Sequence, residues 1–300
     1  MQSSTDLLIG SAIGLIAAFL WAISTNVYKS QSDEAAPMAI ATLKIWMSMV
    51  VMTVIVMLPF RTTPFFMPLN SLIYLSASMT MGFVVGDLAY LTAQERIGVS
   101  YAYPIAATFP IYTYIIAIFV VGEEILLTRF LGIILAVFGI ILISREQASV
   151  QDNEESSRFN RVGFVLALIT ALCWSIGSVL LQIGVADVDP IDANFVRMVF
   201  GAGIIAPLFL GSLRRGTLRP TKRATKIVLF AAIFGMAGGS LLYTMAVKLI
   251  GATVSSVLGS ISPLFALPIS IVFLKEKFSR KSILGVLLSV SGVILVVLIV

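Results

Sequence analysis

No histidine occurs anywhere in the 300 residues, and cysteine occurs once, as Cys173. The first absence removes the side chain that most often serves as general base or transition-metal ligand, so neither a metal centre nor a cofactor is expected. The second excludes an intrachain disulfide and leaves the redox compartment unread. Charge is scarce as well. Asp, Glu, Lys and Arg make up 12% of the chain, against roughly 25% in soluble domains. A phosphate-cradling GxxxxGK[ST] pattern is missing, which argues against ATP hydrolysis. The opening "MQSSTDLLIG" has no basic segment before its apolar run, so the first thirty residues read as a span rather than a cleaved signal.

Apolar residues fill the space: 59% of the chain is hydrophobic and the mean hydropathy is +1.03. A helix needs about 20 mostly apolar residues to cross the hydrocarbon core, where only helices or closed barrels satisfy the backbone. Ten such stretches can be marked, near 7–28, 36–58, 71–94, 98–121, 127–144, 162–184, 190–212, 225–247, 251–274 and 281–299. The short alternating segments of a barrel are absent. The expected fold is therefore an all-α membrane protein with ten transmembrane helices. Its one long polar linker, 145–161, falls near the midpoint.

A repeat crosses that midpoint. "FPIYTYIIAIFVVGEE" at 109–124 and "SPLFALPISIVFLKEK" at 262–277 place Pro263 153 residues after Pro110 and Glu276 153 after Glu123. The same offset matches Trp21 with Trp174, Lys44 with Arg197, and Tyr90 with Tyr243. It also matches Gly82, Gly86 and Gly98 with Gly235, Gly239 and Gly251. Two units follow, 7–144 and 162–299. With five spans each, the second must lie upside down relative to the first, the inverted-topology repeat typical of secondary transporters.

Each unit resembles an EamA domain of the drug/metabolite transporter superfamily. The resemblance rests on the aromatic in "AAFLWAIS" and "TALCWSIG", the proline in "FPIY" and "SPLF", the glutamate closing that helix, and the paired glycines of "RFLGIILAVFGIILI" and "KSILGVLLSVSGVILVV". It covers residues 7 to 299 and implies a ten-helix carrier of small metabolites working by alternating access, without specifying the substrate.

Orientation follows from the basic residues. Fifteen of the twenty Lys and Arg, among them Lys29, Arg96, Arg145, Arg161 and Arg214, lie on the side that holds the linker; Arg61, Arg129 and Lys248 lie on the other. The linker side is thus expected in the cytoplasm and both termini outside, in the plasma membrane. The charge of +5 then reflects orientation rather than nucleic-acid binding.

Three charges sit inside spans. A charge at that depth costs roughly 3 kcal/mol or more, so it faces a cavity or a partner. Lys44 and Asp87 lie at about equal depth and can pair, either structurally or as part of a substrate or proton site. Arg197 matches Lys44, but Ser240 matches Asp87. Its guanidinium either snorkels outward or offers a fork to a substrate carboxylate or phosphate. Trp21, Trp174, Tyr90 and Tyr243 are expected around the same cavity, with Asn26 adding a hydrogen-bonding group; packing and interhelical contacts are the competing roles. Pro110 and Pro263 favour matched bends, and Glu123 and Glu276 either form gates on opposite faces or are plain helix-end charges. The glycine stripes are expected to pack helices, with a dimer interface as the other possibility, so the chain is a monomer or a homodimer.

These features favour a secondary active or facilitative transporter of an amino acid or other small zwitterion or organic anion, with a proton as possible coupling ion. The competing classes are a channel, for which no filter sequence is evident, and an intramembrane aspartyl-type enzyme, for which Asp87 lacks a second acid.

Overall fold

The structure, a computed structural model, describes residues 4–58, 65–151, 160–217, 219–265 and 280–298, and all regular structure among them is helical. The helices are α1 Ser4–Lys29, α2 Pro37–Met57, α3 Leu69–Met79, α4 Asp87–Ile97, α5 Val99–Ala106 and α6 Phe109–Val120. They continue with α7 Leu127–Gln151, α8 Arg161–Val185, α9 Pro190–Arg214, α10 Lys222–Ala232, α11 Gly239–Ser260 and α12 Arg280–Leu298. Starts follow local chemistry. Asn160 caps α8 by accepting from the Val162 and Gly163 amides, and Asp189 caps α9 ahead of Pro190.

Among the described residues, eight helical runs are long and apolar enough to cross a membrane; the segment Ile283–Val297 is apolar but shorter. One run, Lys222–Ser260, combines the eighth expected span with the first part of the ninth. It is interrupted at Gly251, whose φ of 78° suits a residue without Cβ. Ala246 and Leu258, on either side of this point, both lie within 4 Å of a Cβ built on Gly14, so the chain doubles back. Gly98, with φ 72°, makes the matching break between α4 and α5. Further departures come in matched places too. The fourth span breaks at Ala107–Thr108, just before Pro110, and the ninth at Ile261, just before Pro263. Wide π-helical turns at Thr80–Gly86 and Ile233–Gly238 join α3 to α4 and α10 to α11.

Each half packs on the other. Gly163 of α8 sits against Arg96 and Ile97, Gly177 against Gly82, and Gly184 against Leu75, so α8 runs antiparallel to α3 and α4. In the same manner Gly10 of α1 faces Ile250 and Gly235 faces Ser24. The small-residue stripes of α7 and α12 meet within this one chain. A Cβ on Gly139 would lie 2.5 Å from the Gly285 carbonyl oxygen, and one on Gly132 2.9 Å from that of Gly292. Between them Ser289 Oγ donates to the Ala136 carbonyl at 3.4 Å, so this crossing is antiparallel and its helices approach nearly backbone to backbone.

Two faces result. The linker face carries the ends of α1 and α4 and the starts of α2, α8 and α10, joined through a cluster of Tyr28, Ile40, Leu91 and Ala224. The opposite face, named here for Arg129, carries the end of α6, the start of α7 and the Gly251 break.

Candidate functional site

Helical spacing builds a cavity between the halves. On α1, positions 21, 24, 25 and 28 share one face, and Trp21, Ser24, Thr25 and Tyr28 all line it. From α4 come Asp87, Tyr90, Leu91 and Gln94, and from α8 Trp174, Gly177, Ser178 and Leu181, again at i, i+3, i+4 and i+7. Lys44, Phe83, Tyr103, Phe109, Arg197 and Tyr243 complete most of the wall. About 150 Å³ inside is open to the centre of a water-sized sphere.

At one end Lys44 and Asp87 form a buried ion pair. The carboxylate also accepts from Trp174 Nε1 at 2.9 Å, and the ammonium lies 5.7 Å from the centre of the Tyr28 ring. Each oxygen of Asp87 thus has a donor, and the Lys44 ammonium meets its counter-charge inside the wall.

Arg197 is buried in a different setting. Its Nη1 donates to Thr244 Oγ1 at 3.1 Å and, more weakly, to Asn194 Oδ1 at 3.5 Å. Asn194 is held in turn by Ser240 Oγ, 2.7 Å from the same oxygen. The guanidinium carbon lies 5.2 Å from the Phe83 ring centre. Nε of Arg197 is buried without a hydrogen-bond partner, as is the Tyr28 hydroxyl at the other end. Unpartnered polar groups in the wall of one cavity are each a cost that an acceptor-bearing ligand would remove.

Aromatic rings form the remaining walls. Trp21 packs tilted against Tyr243, ring centres 5.1 Å apart, and Trp174 against Tyr90 at 5.2 Å. Each indole rests on the opposite half at the end of a π-helical turn, Trp174 on its last residue and Trp21 on the residue after it. A Cβ on Gly239 would come 2.7 Å from Trp21 Nε1, and one on Gly86 2.9 Å from Trp174 Cδ1. Glycine at these two positions lets the rings reach the cavity. Tyr243 is fixed further by a 2.9 Å hydrogen bond with Ser178.

Of the nine residues expected to bind substrate, Trp21, Lys44, Asp87, Tyr90, Trp174, Arg197 and Tyr243 line this cavity. Ser240 lies behind its wall, fully buried, and acts through Asn194. Asn26 is exposed, its amide turned back to the Ala22 carbonyl at 2.8 Å. Five residues past Trp21 it stands about 140° round the helix, so the period already separates it from the lining face. The same period, continued from Asp87 and Trp174, would have found Gln94 and Ser178. Pro110 is buried at the start of α6, where the neighbouring Phe109 carbonyl accepts from Ser175 Oγ at 2.8 Å. Pro263 is buried beside the Ile261 break. Glu123 stands on the Arg129 face, bonded to Arg129 and Thr253; Glu276 lies outside the described residues.

Residues 8–145 and 161–298 each match the model of the EamA-like transporter family. A protein of Archaeoglobus fulgidus named "Uncharacterized transporter" is 27% identical over 235 residues, 77% of either chain. The Escherichia coli inner membrane transporter YhbE is 26% identical over 135 residues, 45% of this chain and 42% of that one. A Lactobacillus johnsonii protein named provisionally for sugar uptake is 23% identical over 234 residues, 76% of this chain and 77% of that one. One solved crystal structure shares the fold, with a TM-score of 0.77 over 97% of each chain at 16% identity.

Proposed function

The chain belongs to the EamA-like transporter family, and we propose that it carries a small zwitterion or organic anion, an amino acid among the candidates, by alternating access. The observation that carries the substrate class is the buried Arg197, its Nε unpartnered in the wall of a cavity that also holds Lys44 and Asp87. A guanidinium recognises a carboxylate or phosphate through parallel hydrogen bonds. Aromatic pairs on either side suit the apolar body of such a solute. Embedded charges favour an ionic solute over the neutral sugar suggested by the name of the Lactobacillus relative.

Ten spans in two inverted five-helix units are part of this proposal. Supporting it are the 153-residue offset and the antiparallel crossing in which Ala136 meets its own repeat mate, Ser289. The excess of basic residues supports a cytoplasmic linker face with both termini outside. Asp87 is the candidate proton carrier, because a substrate cation or a proton could displace Lys44 from it.

A thermal-shift screen against amino acids, sugars, nucleosides and phosphorylated metabolites tests the substrate class, since a ligand that binds the folded state raises its apparent stability. Zwitterions or organic anions are the expected hits, followed by saturable counterflow in liposomes. Arg197→Ala and Arg197→Lys should both weaken uptake; unchanged kinetics in the two variants would remove Arg197 from the site.

A further inference from the structure

We infer that Glu123, Arg129 and Thr253 form a latch that seals the cavity from the Arg129 face, so that among the described residues the linker face is the more open one. The inference rests on the alternating-access proposal above.

Local structure holds Glu123 in place. Helix α6 ends with Gly122 at φ 71° and a Glu123 amide bonded back to the Ala117 carbonyl at 3.2 Å, a Schellman-type closure that turns the chain sharply. The buried Tyr114 hydroxyl then pins the following loop, accepting from the Leu126 amide at 2.8 Å and donating to the Glu124 carbonyl at 3.0 Å. From this rigid loop the Glu123 carboxylate takes Arg129 Nη1 at 2.6 Å on one oxygen. Thr253 Oγ1 donates to the other at 2.5 Å, across 130 residues of sequence, and so joins the two halves. A second tie lies beside it, where Gln182 Oε1 accepts from the Ala252 amide at 2.6 Å, just after the Gly251 break.

The repeat supplies its own control. Residues 252–260, directly behind Thr253, are all buried, whereas in the mated segment 99–107 Tyr101 is 54% exposed. On α4 the cavity lining runs as far as Gln94; on α11 before the Gly251 break it stops at Tyr243, and Val247, the mate of Gln94, is 1% exposed. The cavity is displaced toward the linker face. Arg129 and Thr253 match Ser282 and Ser100 in the other half, so the latch is not repeated residue for residue. Glu123 and Arg129 are mostly buried, and separating them strands two charges unless water enters as the face opens.

Accessibility to a membrane-impermeant thiol reagent tests the latch without knowledge of the substrate. Thr25→Cys, in a Cys173→Ser background, places a partly exposed reporter in the cavity wall, and labelling is measured from each face using intact cells and inverted vesicles. With the latch intact, labelling should come from the linker face. Glu123→Gln and Thr253→Val should each raise labelling from the Arg129 face about tenfold. Cross-linking Glu123→Cys to Thr253→Cys should stop transport, keep linker-face labelling and be reversed by reduction; retained linker-face labelling also shows that the variant has folded. Unchanged Arg129-face labelling in both single variants, or full transport while cross-linked, overturns the latch. Latch-dependent labelling in a protein that transports nothing keeps the latch and sinks the carrier proposal; saturable transport with latch-independent labelling does the reverse.

Discussion

Lys44 and Arg197 stand at the same place in the two halves, yet their surroundings have diverged. Lys44 meets a carboxylate, Asp87, which an indole from the other half also holds. Arg197 meets a hydroxyl and an amide, and the position matching Asp87 is a serine. The difference separates two uses of a buried cation. A buried ion pair adds little net stability over an apolar pair of equal size, but losing one member is costly. A cation held by neutral dipoles keeps attraction in reserve for an anionic ligand. One half thus holds its cation as an ion-paired anchor, and under the proposed function the other presents its cation to the substrate.

The comparison can be broken most severely at the anchor. Asp87→Ala strands Lys44 and should cost about 3–5 kcal/mol in unfolding free energy. Adding Lys44→Met should recover most of it, measured by denaturant unfolding in detergent. A difference of under about 1 kcal/mol for the single variant would show that the pair does not anchor the fold. Next in size, Gly239→Ala and Gly86→Ala push a methyl into Trp21 and Trp174 and should each cost about 1–3 kcal/mol. Trp21→Phe should relieve the first but not the second, and a double-mutant cycle checks this. Ser240→Asp would give the Arg197 side the acid it lacks. Stability should stay nearly level while apparent substrate affinity falls about tenfold, equivalent to 1.4 kcal/mol; an unchanged KM in transport assays would deny Arg197 its role. Smallest of all, Asn26→Ala lies off the cavity and should stay within about 0.5 kcal/mol and leave uptake unaltered.

Much of the site was legible because membrane burial makes polar residues conspicuous. Lys44, Asp87 and Arg197 stand out as charges inside apolar runs, and the repeat offset marks Trp21, Trp174, Tyr90 and Tyr243 as matched positions. Asn26 and Ser240 show the limit of that approach. Polarity alone promoted Asn26, although its helical phase points away, and the match to Asp87 promoted Ser240, although it supports Asn194 from behind the wall. Glu123 was legible as a helix-end acid; its bond to Thr253, 130 residues distant, was not.

By itself the sequence determined the apolar helices, the doubled unit and which charges lie inside apolar runs, since bilayer thickness and desolvation act on short stretches of chain. Only the tertiary structure decided which of these groups meet. Inter-helix partners depend on rotational phase, and each π-helical turn departs from the 3.6-residue period, where one extra residue turns the downstream face by about 100°. That shift comes immediately before Asp87 and Ser240. Where those two side chains point is thus a property of the packed bundle.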